Sequence, residues 1–384
     1  MKRSIILFAT LLVSAAAFAQ PSQEGRPKLQ PNQIIATTGE VNATPQGSYT
    51  PDFKIDGTNA KVRNVILMIG DGMGLGAVCA GLYSNGGELT MTNLKTMGYT
   101  RTQSASDFTT DSAASGTAYA TGHKTKNGYV GMGPDGERLV NIPEAITPYG
   151  YVCGVLSTDG LDGATPAAFY AHQTARGASD AIWADIPASC LTFFSAGSSS
   201  RFGKLPLSTQ EAIKGKYTVI FEPDEEAIAN SEKLGYLPEN VGDGRGDYLP
   251  STTEMAIDYL SARSKKGFFL MVEGAHIDHK AHSNIYDGLV VETLDFDKAV
   301  EAAIRFAEKD GHTLVVISAD HETGAVVLRK GNIEENYTQG SFSSRGHSPM
   351  MVPLFAYGPH SQDFRGVQEN SDISNKIKAI LIGK

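Results

Sequence analysis

A serine directly follows an aspartate in the run Asp111-Ser112-Ala113-Ala114-Ser115-Gly116-Thr117-Ala118. The small residues read as the first turn of a helix. That would set the Ser112 hydroxyl at a positive helix end, where backbone N–H groups point outward. Such an end suits a phosphate, which makes Ser112 a candidate nucleophile toward an anionic substrate. An ordinary helix cap uses the same residue types, so this run alone decides little. Further along the chain, several apolar runs end in residues that bind metal or phosphate. Asp71 follows the run 64–70, Glu273 follows 268–272 with Asp278 and His282 just beyond, and Asp320-His321 follow 313–318. Residues 158–165, with Thr165 at the end, follow the run 151–156.

Each of these runs reads as a buried strand. In open α/β sheets ligands bind beyond the carboxyl ends of the strands, so a series of Asp, Glu and His at strand ends predicts a polynuclear metal site at one sheet edge. The spacings agree. Asp278 and His282 are four apart and share a helical face. Asp320 and His321 are neighbours, and both can bind one ion only where a strand is ending. Asp71 sits in a Gly-rich turn, where backbone can approach a ligand closely. Asp/His mixtures suit zinc, and Asp/Glu/Thr oxygens suit magnesium.

Asp71-Gly72-Met73-Gly74, the eight-residue run around Ser112, Ala120-Thr121-Gly122 and Ala164-Thr165-Pro166-Ala167-Ala168 together resemble the signatures of the alkaline phosphatases. So do Glu273-Gly274-Ala275-His276-Ile277-Asp278-His279, Ala319-Asp320-His321, and His347 ahead of Ala356-Tyr357-Gly358-Pro359. The resemblance runs from about residue 62 to the C-terminus. It implies a three-layer α/β/α sandwich around a mostly parallel sheet. It also implies two zinc ions and one magnesium ion around a serine nucleophile. The first zinc would be held by Asp278, His282 and His347, and the second by Asp71, Asp320 and His321 beside the Ser112 oxygen. Magnesium would be held by Asp71, Thr165 and Glu273, and Arg176 would grip the phosphoryl oxygens with its planar fork. The implied reaction is hydrolysis of a phosphate monoester through phosphoserine, releasing inorganic phosphate.

One position departs from the pattern. Some family members carry a carboxylate or histidine two residues before the threonine, and this chain has Gly163, with Asp162 next to it as a group that could lean in. His279 stands where some members have lysine and others histidine. Arg176 lies eleven residues after Thr165, so the chain must fold back for both to reach one site. His172, His276 and His279 divide between structural and site-supporting roles; His123, His312 and His360 read as loop residues. Two rivals stay open. A phosphodiesterase of the same superfamily needs room for a second ester group. A non-catalytic metal- or phosphate-binding protein has no use for a serine beside Arg176. A sulfatase would need proline two positions after its nucleophile, and Ala114 stands there.

The chain has 384 residues and a net charge of −9, which argues against nucleic acid as the main partner. Residues 1–19 read as a secretory signal: Lys2 and Arg3, the apolar stretch 5–18, and Ala17-Phe18-Ala19 before Gln20. The expected product is exported, periplasmic or secreted, and no stretch predicts a membrane span. Residues 20–60 read as an extended arm or linker. Strands alternating with helical patterns over 61–384 predict one α/β catalytic domain, with helices near 224–234, 251–264, 287–309 and 371–382. The ligand-poor insertion 191–250 would pack on the sheet or cover one side of the site. The short connection 321–347 suggests an open site and weakens the case for a family-type homodimer. Cys79, Cys153 and Cys190 are odd in number, so at least one thiol is free.

Overall fold

The computed structural model describes residues 37–197 and 199–383; the expected signal segment lies outside them. Fifteen strands occur among these residues. They are β1 (Thr37–Asn42), β2 (Asn64–Gly70), β3 (Thr96–Arg101), β4 (Val152–Ser157), β5 (Phe193–Ser195), β6 (Thr218–Ile220), β7 (Leu234–Tyr236) and β8 (Phe268–Gly274). Then follow β9 (Thr313–Ser318), β10 (Glu322–Thr323), β11 (Val326–Asn332), β12 (Tyr337–Phe342), β13 (His347–Ser348), β14 (Val352–Tyr357) and β15 (Gly366–Glu369). Ten of them form one sheet in the order β15-β3-β14-β9-β2-β8-β4-β5-β7-β6. Every pairing in it is parallel except those of β14, which runs antiparallel to β3 and β9.

The central strands are apolar on both faces because both are covered. Val65, Leu67 and Ile69 of β2 join one buried cluster with Phe269 and Met271 of β8. Ile66 and Met68 join the other, with Leu270 and Val272. The helices Ser112–Thr121 and Asn370–Ile382 pack on the first face, and Tyr248–Arg263 and Tyr286–Asp310 on the second. The result is the three-layer α/β/α sandwich that the family resemblance implies. The four strands whose ends carry the candidate ligands are consecutive in the sheet, β9-β2-β8-β4. Their carboxyl ends therefore meet at one edge.

Two segments differ from expectation. Part of the stretch read as an arm is structured: β1 pairs antiparallel with β12, which pairs with β11, in a separate three-stranded sheet. Its sequence, Thr-Thr-Gly-Glu-Val-Asn, lacks the apolar alternation that announces a strand. The insertion 191–250 does not simply lie over the sheet; it extends the sheet at one side through β5, β7 and β6. Each of these strands has three residues, too few to show a period. The helix expected near 224–234 spans only Glu225–Asn230, because the chain turns into β7. No helix among the described residues is long and apolar enough to cross a membrane. All three cysteines are free thiols, and burial pushes Cys153 up to about 12.

Candidate metal centre

Asp111, not Ser112, caps its helix. The Asp111 carboxylate accepts from the Ala114 N–H at 2.9 Å and from the Gly128 N–H at 2.9 Å. Ser112 is thus the first helical residue, and its hydroxyl is free of capping duty. That hydroxyl points at the Nε2 of His321, 3.1 Å away. Around the same imidazole nitrogen stand Asp320 Oδ2 at 3.1 Å and Asp71 Oδ1 at 3.4 Å. Asp320 is held in place by its other oxygen, which accepts from the backbone N–H of Gly72 at 3.0 Å and of His321 at 2.8 Å. Gly72 has φ +70°, and a Cβ there would come within 2.9 Å of the Asp278 backbone. This turn requires glycine both for its dihedral and for the close approach.

A second group lies beside the first. His282 Nε2 is 3.2 Å from Asp278 Oδ2, His347 Nε2 is 3.7 Å from Asp278 Oδ1, and the two imidazole nitrogens face each other at 3.1 Å. The Nδ1 of His347 lies 2.9 Å from the carbonyl of Thr110, and that of His282 meets the carbonyl of Arg345. Donation through Nδ1 leaves each Nε2 lone pair free for a cation. The rings of His321 and His347 stack with centroids 3.5 Å apart, so the two groups are contiguous. Asp278, His282 and His347 could hold one ion, and Asp71, Asp278 and His321 are also close enough to share one. Asp278 therefore sits between the two positions, a feature that the ligand sets drawn from the resemblance do not include.

Glu273, near the end of β8, and Thr165, in the short helix Ala164–Ala167, form the third part of the set. Ser157 donates to Glu273, while the buried hydroxyl of Thr165 has no hydrogen-bond partner. Asp162 does not lean toward them; it pairs with Arg201 at 3.6 Å. Asp159 lies closer to Gly163. Its Oδ2 lies 2.9 Å from where a Cβ on Gly163 would be, and its backbone N–H donates to Ser157 Oγ at 2.9 Å. The missing side chain at Gly163 makes room for this carboxylate. No motif marked Asp159; the signal available was its position two residues past a strand end.

Arg176 reaches the centre because the chain folds back through a bridge between Val130 and Gln173, after which the Arg176 N–H donates to the Gly128 carbonyl at 2.7 Å. Its guanidinium pairs with the cap Asp111 at 3.2 Å and is half exposed. The remaining histidines do other work. His172 is fixed by Gly131 and Glu144, and His279 is exposed beside His276. His276, Asp243 and Glu292 form another His/carboxylate group, but Lys280 and Arg245 already neutralise its acids.

Electrostatics show what the centre lacks. Burial pushes the carboxyl of Asp71 well up, and Asp320, Asp278 and Glu273 add to the rise. Burial likewise pushes Glu273 up to about 8, against the pull of the Ser157 hydroxyl. For Asp278 burial acts upward too, but the hydrogen bond to His282 and the charge of His321 hold it below the usual range. Asp320 is held down in the same way by His321. Burial lowers the basicity of His321, yet Asp320 and Asp278 more than reverse this. Four carboxylates thus share one buried volume in which, among the described residues, imidazoles are the side chains beside them that could carry an opposing charge. Asp71 Oδ1, Asp320 Oδ2 and Thr165 Oγ1 are buried without a hydrogen bond. Orphaned oxygens facing imidazole nitrogens in excess negative charge are the donor set that divalent cations satisfy.

The same organisation occurs in known proteins. The family profile described as alkaline phosphatase matches residues 62–198 and 243–341. Alkaline phosphatase 4 of Bacillus subtilis is 30% identical, the match covering 84% of this chain and 89% of that protein. Alkaline phosphatase of Escherichia coli is 27% identical over 99% of both chains. The solved alkaline phosphatase of the Antarctic bacterium TAB5 superposes with a TM-score of 0.78 at 35% identity, covering 84% of this chain and 98% of that one. On this family match, these relatives and this shared fold, the chain belongs to the alkaline phosphatase family and is a phosphatase.

Proposed function

We propose that the protein is an exported hydrolase of phosphate monoesters that works through a phosphoserine on Ser112. The observation that carries this reading is the Ser112 hydroxyl, uncapped and 3.1 Å from His321 Nε2, at the rim of a buried centre of orphaned carboxylate oxygens. Asp278, His282 and His347 would hold one zinc ion, and Asp71, Asp320 and His321 a second. Asp71, Thr165 and Glu273 would hold magnesium. When bound, these cations supply acidity to hydroxyl and water and offset the charge of the phosphate dianion.

The chain's own residues do the rest. Ser112 Oγ gives its proton to solvent and attacks phosphorus, the bond to the leaving oxygen breaks, and the released alkoxide takes a proton from water to leave as the alcohol. Water then attacks the phosphoserine from the opposite side, the Oγ–P bond breaks, and inorganic phosphate leaves. Two inversions give net retention. Arg176 and the N–H groups at the start of the Ser112 helix stabilise the equatorial oxygens. Export rests on the residue 1–19 pattern, which precedes the catalytic segment.

The deciding experiment compares kcat/KM for an aryl phosphate monoester and the matching diester. Monoester preference of at least about 10²-fold is expected, since a diester lacks the second charge that this centre is built to meet. Preference for the diester would replace the monoesterase reading with the phosphodiesterase one. At the third position, Asp159→Asn is expected to weaken magnesium binding about tenfold in equilibrium dialysis and to leave zinc uptake unchanged. Unaltered magnesium affinity would remove Asp159 from that position.

A further inference from the structure

Thr323 belongs to no motif noted above, yet its hydroxyl touches one proposed ligand of each zinc position, Asp278 and His321. It lies in β10, is buried, and is two residues beyond His321, on the same side of an extended chain. Its Oγ1 is 2.5 Å from Asp278 Oδ1 and 3.1 Å from His321 Nδ1. A hydroxyl has one proton. The ionised carboxylate of Asp278 can only accept, so the Thr323 proton goes there. The lone pairs of Thr323 then face His321 Nδ1, and a stable contact requires that Nδ1 carry a proton and donate it. A neutral imidazole protonated on Nδ1 presents a bare lone pair on Nε2.

The need for such a device is visible on the other side of the ring. His321 Nε2 faces Asp320 Oδ2 at 3.1 Å and Asp71 Oδ1 at 3.4 Å. Two carboxylates there favour a proton on Nε2, the nitrogen that must be bare to bind a cation. We propose that Thr323 is a positioning residue for both zinc sites: it holds the His321 proton on Nδ1 and fixes the Asp278 carboxylate between the two ions. This inference rests on the metal reading above. It assigns the coupling between the two sites to one hydroxyl.

The test uses the full chain as wild type, Thr323→Val and Thr323→Ser, each stripped of metal and titrated with zinc against a chromophoric chelator. Valine keeps the shape and removes the hydroxyl; serine keeps the hydroxyl. Thr323→Val is expected to lose about 10- to 100-fold in zinc affinity. Thr323→Ser is expected to stay within about threefold of wild type, because its hydroxyl can make the same pair of hydrogen bonds. Cobalt loading provides a second readout, with the d–d absorption of the serine variant matching wild type and that of the valine variant altered. Metal-free thermal unfolding separates a folding defect from a binding one: both variants should remain folded at the temperature of the zinc titration, the valine variant melting somewhat earlier because it leaves Asp278 and His321 each without a buried partner. Wild-type zinc affinity in Thr323→Val, or equal loss in Thr323→Ser, overturns the assignment. Failure of the wild type to bind zinc tightly overturns the metal reading itself, and the role of Thr323 with it.

Discussion

Ser112→Ala is expected to lower kcat for a phosphate monoester by at least about 10³-fold. The size follows from what the side chain does in the proposed reaction. It is the atom that forms the bond to phosphorus, and no neighbouring hydroxyl shares its place: Ser115, one turn on, donates to the Asp320 carbonyl at 2.7 Å. The change is mild for the fold. Ser112 is buried at the first helical position, the capping duty belongs to Asp111, and alanine is the better helix former. The variant should therefore match wild type in thermal unfolding and in bound zinc. Acid quenching with a radiolabelled monoester supplies the second measurement: label stays on the wild-type chain and is absent from the variant. Turnover at the wild-type rate would remove the serine mechanism. Retained metal with lost turnover would also exclude the non-catalytic binding protein, for which this serine has no chemical use.

The sequence made the centre legible where chemistry restricts residue type. Acids and imidazoles at the ends of apolar runs pointed to one sheet edge, and β9, β2, β8 and β4 are neighbours there. Alternating strands and helices made the layer order legible too, because both faces of the central strands must be covered. What stayed hidden depends on the tertiary path. Asp278 is within reach of both candidate ion positions only because Gly72 lets two turns pack where a Cβ would lie 2.9 Å from the Asp278 backbone. Asp159 lies against Gly163 through a loop whose shape no spacing encodes, while Asp162, nearer in sequence, is taken by Arg201. Thr323 could have been flagged by its two-residue spacing from His321, but threonine in a strand is most often there for its β-branched shape. The short strands β5, β6 and β7 and the polar β1 were illegible for the opposite reason. Their stability comes from the partner strand rather than from a pattern of their own.

Removing metal is expected to abolish turnover and to lower the unfolding temperature together, with zinc restoring both. The structural reason is the surplus of buried acid. Asp71, Glu273, Asp278 and Asp320 are all nine-tenths or more buried, and His321 is the imidazole that most directly opposes them. Without cations, folding must either bury repelling carboxylates or take up protons on Asp71 and Glu273, whose affinities for protons are raised accordingly. A cation held only by the folded chain stabilises it by about 2.7 kcal/mol when free metal is 100-fold above Kd. Asp278 lies within reach of both candidate ion positions, so the contributions of two ions will not simply add. A shift of several degrees is expected by calorimetry between chelated and zinc-reloaded protein. Magnesium alone should restore less, because the imidazole-rich positions favour zinc. Measuring both properties on one preparation matters. An ion with a purely structural role would move the unfolding temperature while a refolded, metal-free fraction still turned over substrate. A catalytic one takes turnover away even at temperatures where the chelated chain remains folded. Turnover at full rate in rigorously chelated, folded protein would contradict the proposed mechanism at its root, since among the described residues only Arg176 and the imidazoles of the centre could then oppose its four carboxylates and draw in a phosphate dianion.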